Sequence, residues 1–108
     1  YKHSIVSVGA AAVEAMSHIR ADIYFMGVTG VHPTAGLSTG DLEEAYIKRA
    51  LASRAAETVV LASAAKLNAA SQYAIGDITL AQSIIVERST DATLITPLEQ
   101  AGVTVIKA

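Results

Sequence analysis

A glycine-rich segment holds the residues of this chain that are best suited to bind a small molecule. Residues 27 to 40 read GVTGVHPTAGLSTG, in which four glycines are mixed with hydroxyl side chains and one histidine. Glycine lets the backbone approach a ligand closely, and the free N–H groups of a helix that starts just after the segment favour an anion such as a phosphate. The candidate ligand-binding residues here are Gly27, Thr29, Gly30, His32, Gly36, Ser38 and Thr39. The alternative is a connecting loop whose glycines serve turns, with Ser38 and Asp41 capping a helix.

Lys66 is the second candidate, because it follows a strand predicted over Thr58 to Ala62. In open α/β sheets, ligands bind beyond the carboxyl ends of the strands. If this strand runs parallel to the one predicted over Ile23 to Val28, Lys66 lies at the same edge of the sheet as the glycine-rich segment. A lysine there offers a point positive charge to a phosphate or a carboxylate. The alternative is a solvent-facing lysine at a turn.

Catalytic chemistry has weak support in the sequence. The glycine spacing matches neither the dinucleotide-binding fingerprint nor the P-loop, and no metal-ligand cluster or Ser/His/Asp motif occurs, so neither a cofactor nor a metal is expected. His32 could donate to a ligand oxygen or belong to a turn beside Pro33. Glu44 and Lys48 are four residues apart on a predicted helix, where a solvated salt bridge is the default interpretation.

The elements that position these residues are predicted from hydrophobic patterning. Nearly continuous apolar runs are typical of parallel strands covered on both faces, and alanine-rich amphipathic stretches are typical of packed helices. The predicted strands are Ile23 to Val28, Thr58 to Ala62, Ser83 to Glu87 and Val103 to Ile106, with a weaker one around Ser4 to Val8. The predicted helices are Gly9 to Arg20, Asp41 to Ala56 and a short last one from Asp91 or Thr96 to Ala101. This alternation predicts an α/β fold with an open, mostly parallel sheet and flanking helices.

Two of the helices carry more detailed signals. The second should open with a capping box formed by Asp41 and Glu44. Its expected apolar stripe consists of Ile47, Ala50, Leu51 and Ala55. In the last helix, Thr96, Pro97 and Glu99 fit the N-cap, N1 and N3 positions, and Gly102 should end it.

Composition limits the possible functions. Of the 108 residues, 52% are hydrophobic and 17% charged, so the chain should fold, and a net charge of -2 leaves no basic excess with which to grip nucleic acid. The absence of cysteine removes any disulfide or cysteine-ligated zinc site and agrees with a reducing, cytoplasmic location. The apolar stretches are too short to cross a bilayer. From the start at Tyr1 and the apolar surplus we expect one partial domain over residues 1–108 that forms a homo-oligomer.

The order of the motifs resembles a known family. Asp22 precedes an apolar strand, the glycine-rich segment follows, residues 44 to 49 match an E-A-x-x-K-R helix, and the next strand ends in LASAAK at residues 61 to 66. The GVTVIK at residues 102 to 107 is similar to the family's last strand. Together these motifs resemble the effector domain of DeoR-type bacterial transcriptional regulators. The resemblance covers nearly the whole chain, but only the later part of that domain.

The resemblance implies the fold shared by ribose-phosphate isomerases, glucosamine-phosphate deaminases and CoA transferases, and the sensing of a phosphorylated sugar or related metabolite. By position, it implies that the ligand is approached by Gly27, Gly30, Gly36, Ser38 and Thr39 and contacted by Lys66. A DNA-binding winged helix-turn-helix and a serine/threonine-rich phosphate loop are expected before Tyr1. Where the family often has Asp, this chain has Ser63, so an acidic partner is missing and the ligand can differ from that of common members.

Three functional hypotheses follow. The leading one is the ligand-sensing domain of a repressor, in which occupancy changes DNA binding by other parts of the protein. The alternative is a sugar-phosphate isomerase or deaminase-like enzyme of the same fold, because GVTGVH is similar to a histidine-bearing segment of the deaminases. An enzyme needs a positioned acid or base, and Val31 stands where a carboxylate beside His32 is expected. A purely structural assembly domain explains the apolar surface but not the convergence of the glycine-rich segment with Lys66.

Overall fold

Two sheets and two helices make up the part of the protein that the computed structural model describes, residues 21–108. The strands are β1 (Ala21–Gly27), β2 (Gly30–His32), β3 (Gly36–Thr39), β4 (Ala55–Leu61), β5 (Tyr73–Gly76), β6 (Ser83–Val86) and β7 (Thr104–Lys107). The helices are α1 (Leu42–Arg54) and α2 (Ala92–Gln100), with short 3₁₀ turns at Ala64–Lys66 and Ile78–Leu80. The predictions for Ser4 to Val8 and Gly9 to Arg20 lie outside the described residues.

The larger sheet confirms the predicted α/β fold. Its four strands lie in the order β1-β4-β6-β7, and every neighbouring pair is parallel. In the middle of the sheet, Met26, Val60 and Ile84 stand side by side and are fully buried. Both described helices contribute side chains to the same core as these strands.

Coverage of the sheet differs from strand to strand. In β6 three of the four residues are buried, as predicted for a strand enclosed on both faces. In β1 the side chains alternate instead: Met26 is buried, whereas Ile23 and Phe25 are about half exposed. The continuous apolar run therefore predicted more complete burial of β1 than the structure shows.

A second, smaller sheet was not predicted. Its strands lie in the order β2-β3-β5, and both pairs are antiparallel. Strands β2 and β3 form a hairpin inside the glycine-rich segment, which was expected to be a loop. Its buried Val31 and Leu37 join the core, and β5 adds Ile75. The segment is thus a packed structural element rather than a flexible connection.

Helix α1 begins as predicted but ends earlier and packs on a different stripe. The Asp41 carboxylate caps it by accepting a hydrogen bond from the backbone N–H of Glu44 at 3.3 Å. The helix ends at Arg54, so Ala55, the last member of the predicted stripe, belongs to β4. Its buried residues are Ala45 and Ala52, while Ile47, Ala50 and Leu51 are only partly buried. Small alanines allow the helix to lie close to the sheet.

Helix α2 begins at the earlier of the two predicted points. The Asp91 carboxylate accepts a hydrogen bond from the N–H of Thr93 at 2.9 Å, so the assignment of Thr96 as N-cap and Pro97 as N1 is wrong. Pro97 lies inside the helix, where burial of Ile95 and Leu98 offsets the backbone hydrogen bond that proline cannot make. Gly102, at φ +106, ends the helix as predicted. Neither α1 nor α2 is long and apolar enough to span a bilayer.

Candidate functional site

The carboxyl ends of β1, β4 and β6 meet at one edge of the larger sheet, called the carboxyl edge below. Gly27 at the end of β1 is the register partner of Leu61 at the end of β4. After β4 the chain turns through the 3₁₀ turn that carries Lys66, and the next residue, Leu67, pairs with Val31 of the glycine-rich segment. The N–H of Ala69 also donates to the Val31 carbonyl at 3.3 Å. The structure therefore brings the glycine-rich segment and the Lys66 turn together.

Three hydroxyl residues hold the two segments to each other. The Oγ of Ser38 accepts a hydrogen bond from the N–H of Ser71 at 2.8 Å, and the hydroxyls of Thr29 and Ser71 are hydrogen-bonded. The N–H of Thr29 donates to the Ser38 carbonyl at 3.0 Å. Ser38 and its neighbour Thr39 are almost completely buried, whereas Thr29 is exposed. Sequence reasoning missed Ser71, because no local motif marks a serine whose partners are 33 and 42 residues away.

The glycines of the segment fall into two groups. A Cβ on Gly30 would lie 2.5 Å from the Ser38 Oγ and 2.7 Å from the Ala69 carbonyl oxygen, and Gly36 has a φ of +81. Close packing and backbone conformation thus require glycine at these two positions. At Gly27, by contrast, a Cβ would meet no described atom within 4 Å. Within residues 21–108, packing therefore does not explain the glycine at the end of β1.

His32 serves the hairpin turn. Its Nδ1 accepts hydrogen bonds from the N–H groups of Thr34 and Ala35 at 3.1 and 3.0 Å. This is the turn alternative foreseen beside Pro33. With Nδ1 occupied as an acceptor, the neutral ring carries its proton on Nε2, and only that group is left to donate to a ligand.

Lys48 is a residue whose position the sequence did not reveal. Its Nζ donates to the backbone carbonyl of Gly27 at 2.6 Å and lies 3.7 Å from the Glu44 carboxylate. The Lys48 side chain is only 22% exposed. The interpretation of Glu44 and Lys48 as a simple solvated pair is therefore incomplete, since the Lys48 ammonium group reaches the carboxyl edge.

Arg49 holds α1 to the smaller sheet. Its Nε donates to the Ile75 carbonyl at 2.7 Å, and its Nη2 donates to the Ala74 carbonyl at 2.8 Å. The planar guanidinium fork suits two adjacent acceptors, a geometry that a lysine cannot reproduce. Arg49 thus has a structural role in fixing β5, and through β5 the hairpin, against the helix.

The start of α1 is poorly suited to a phosphate, contrary to the expectation of free N–H groups there. The Asp41 carboxylate already accepts the N–H of Glu44. Glu43 and Glu44 add two further negative charges in the first turn. Repulsion between these carboxylates and an anion opposes the attraction of the helix dipole, so an anion at the carboxyl edge must depend on other groups.

Lys66 and Glu87 place opposite charges beyond β4 and β6. Lys66 is partly buried, and no residue within 21–108 forms an ion pair or a side-chain hydrogen bond with its ammonium group. An oxygen of Glu87 accepts the N–H of Ala64 at 3.1 Å, beside a cleft of about 400 Å³ between the ends of β4 and β6. Glu87, which directly follows β6, thus sets a carboxylate beside Ala64, the residue after Ser63.

Two ionisable groups have pKa values shifted by their surroundings. Burial raises the pKa of Tyr24 to about 12. Hydrogen bonds from the Thr93 N–H and hydroxyl lower the pKa of Asp91. Neither group belongs to the glycine-rich segment or to the Lys66 turn, so these shifts reflect core packing and helix capping.

Comparison with known proteins defines the class. The DeoR C terminal sensor domain family matches residues 1–88. An uncharacterized HTH-type transcriptional regulator, FruR, of Bacillus subtilis (strain 168) is 38% identical over 76 residues, 68% of this chain and 30% of that protein. The HTH-type transcriptional regulator GlpR of Haloferax volcanii is 29% identical over 99 residues, 92% of this chain and 39% of that protein. A putative aga operon transcriptional repressor of Escherichia coli O157:H7 is 30% identical over 98 residues, 91% of this chain and 36% of that protein.

These matches agree with the resemblance that the motif order indicated. The chain belongs to the DeoR C-terminal sensor domain family. It spans between 30% and 39% of the length of these three relatives.

Proposed function

We propose that this chain is the effector-sensing domain of a transcriptional repressor and binds a phosphorylated sugar or related metabolite at the carboxyl edge. In this proposal the ligand changes the DNA affinity of a separate DNA-binding part of the protein, which works in the cytoplasm. Membership of the sensor-domain family supports the regulatory class, and the relatives named as regulators and as a repressor support control of transcription.

The main support for a ligand site at this edge is the contact between the Lys66 turn and the glycine-rich segment. The pairing of Leu67 with Val31 sets the Lys66 turn beside the glycine-rich segment, and no described residue pairs with the Lys66 ammonium group. Thr29 is an exposed residue beside this turn, although its hydroxyl is hydrogen-bonded to Ser71, and no described atom fills the space at Gly27. A positive charge with nearby polar groups is the arrangement that a phosphate and its sugar require.

An enzymatic function receives less support from the same geometry. The Nδ1 of His32 is used in the hairpin turn, and its neighbour on one side, Val31, is a buried core residue. An acid-base histidine normally has its Nδ1–H oriented by a carboxylate or carbonyl partner, which an Nδ1 that accepts two backbone hydrogen bonds does not have.

The first test replaces Lys66. We expect Lys66→Ala to weaken binding of a sugar phosphate by about ten- to a hundredfold, because a lost charge-assisted hydrogen bond costs about 1.5 to 3 kcal/mol. The measurement is calorimetric titration of the full-length protein with a panel of sugar phosphates and the corresponding unphosphorylated sugars.

Lys107→Ala is the matched control, since it removes the same charge two strands away on the same sheet. It should leave affinity within about twofold, because an exposed charge at that distance is largely screened. Equal losses of affinity in both variants would show that the effect comes from the overall electrostatic field of the protein. Unchanged affinity in Lys66→Ala would refute the role of Lys66.

A further inference from the structure

The Lys48 ammonium group has capacity to bind more than its present partners. A lysine ammonium has three donors. One reaches the Gly27 carbonyl at 2.6 Å, and the Glu44 carboxylate lies at 3.7 Å, beyond hydrogen-bond distance. Glu44 is itself half exposed, so this ion pair is weak and replaceable.

Among the described residues, the surroundings of this ammonium group leave room at Gly27. Its acceptor is the carbonyl of Gly27, the residue at which a Cβ would meet no described atom within 4 Å. The start of α1 cannot supply the positive charge, because Asp41, Glu43 and Glu44 make it acidic. Lys48 is therefore a cation within hydrogen-bond distance of the end of β1.

We propose that Lys48 is a second phosphate-binding residue of the effector site, and that the ligand's phosphate displaces Glu44 from it. The proposal rests on the proposed function, since it assigns a residue to the same site. A phosphate offers up to two negative charges and several strong acceptor oxygens, so it competes well against one exposed carboxylate. Gly27 then keeps the ammonium group in position while its partner changes from Glu44 to phosphate.

The competing explanation is structural: Lys48 merely satisfies the Gly27 carbonyl. The variant that separates the two is Glu44→Gln, which leaves Lys48 and its bond to Gly27 in place. If phosphate displaces Glu44 from Lys48, removal of the Glu44 charge must strengthen phosphate binding. If Lys48 has only a structural role, removal of that charge has no such effect. Glu43→Gln is the matched control, because Glu43 carries the same charge one residue away and has no ion pair with Lys48 among the described contacts.

The experiment is calorimetric titration of the full-length protein with inorganic phosphate and with glucose 6-phosphate, accompanied by thermal melts. We expect Glu44→Gln to bind both probes about two- to fivefold more tightly, which is the fold-change equivalent of a weak surface ion pair. Glu43→Gln should match the wild type, and Lys48→Ala should bind at least about tenfold more weakly.

Each other outcome is decisive. If the wild type binds the probes and Glu44→Gln behaves like Glu43→Gln, the displacement is refuted. If Lys48→Ala lowers only the melting temperature, Lys48 is a structural residue. If the wild type binds neither these two probes nor any other sugar phosphate of the panel, the proposed function fails, and the role of Lys48 fails with it.

Discussion

At the scale of single residues, the side chains around the carboxyl edge divide into those that build it and those left available to a ligand. The Ser38 Oγ accepts the N–H of Ser71, and the Nδ1 of His32 accepts N–H groups of the hairpin turn. Arg49 donates to carbonyls of β5. Within residues 21–108, no side chain pairs with the Lys66 ammonium group and none fills the space at Gly27, and the proposed function assigns both features to a ligand. Side-chain types alone could not separate these groups, because the partners are backbone groups, local ones for His32 and distant ones for Ser38 and Arg49.

Arg49 gives a direct test of the structural group. We expect Arg49→Met to lower the free energy of unfolding by about 1 to 3 kcal/mol, because two charge-assisted hydrogen bonds to backbone carbonyls are lost. Arg88→Met serves as the control, since Arg88 is exposed and removes the same charge. Urea denaturation of the three proteins measures the difference, and equal midpoints would show that the Arg49 fork contributes nothing.

At the scale of elements, the strands of the larger sheet were predictable and those of the smaller sheet were not. Apolar residues dominate β1, β4 and β6, and burial in a parallel sheet demands such runs. Strands β2, β3 and β5 have three or four residues each and include glycines. Tertiary pairing rather than local propensity sets such short strands. The start of α2 was ambiguous because both Asp91 and Thr96 are good N-caps, and the Ile95 and Leu98 contacts decided it.

The hairpin also predicts different consequences for its glycines. Gly30→Ala should lower the free energy of unfolding by about 1 to 3 kcal/mol, because the added Cβ would overlap the Ser38 Oγ and the Ala69 carbonyl. Gly27→Ala should leave the melting temperature nearly unchanged, since its Cβ would meet open space. The same variant should weaken sugar phosphate binding if the ligand lies at Gly27.

Thermal melts and titration of both variants check this distinction between packing and ligand access. A large loss of stability in Gly27→Ala would mean that this glycine is structural as well. Unchanged stability in Gly30→Ala would mean that β2 can shift away from the Lys66 turn.

At the scale of the whole molecule, we expect an apolar strip on β1 to mediate self-association. Phe25 and Ile23 are 58% and 48% exposed on a strand that has one partner, β4, among the described residues. We expect Phe25→Ser to shift the full-length protein toward smaller species, since apolar surface of this kind is commonly buried between copies. Sedimentation velocity over a wide concentration range measures the effect.

Leu42→Ser is the comparison for this prediction, because Leu42 is 62% exposed but lies on α1 rather than on β1. It should leave the distribution of species unchanged. A wild type that stays monomeric at all concentrations would contradict self-association altogether.

The junction between α1 and β4 has a mechanical consequence. The helix ends at Arg54 and the strand begins at Ala55, so no loop residue separates them. Because β4 lies between β1 and β6, α1 is connected directly to an interior strand of the larger sheet. If a ligand at Lys48 shifts α1, we therefore expect the shift to displace β4 as well, because no loop residue at this junction can absorb it.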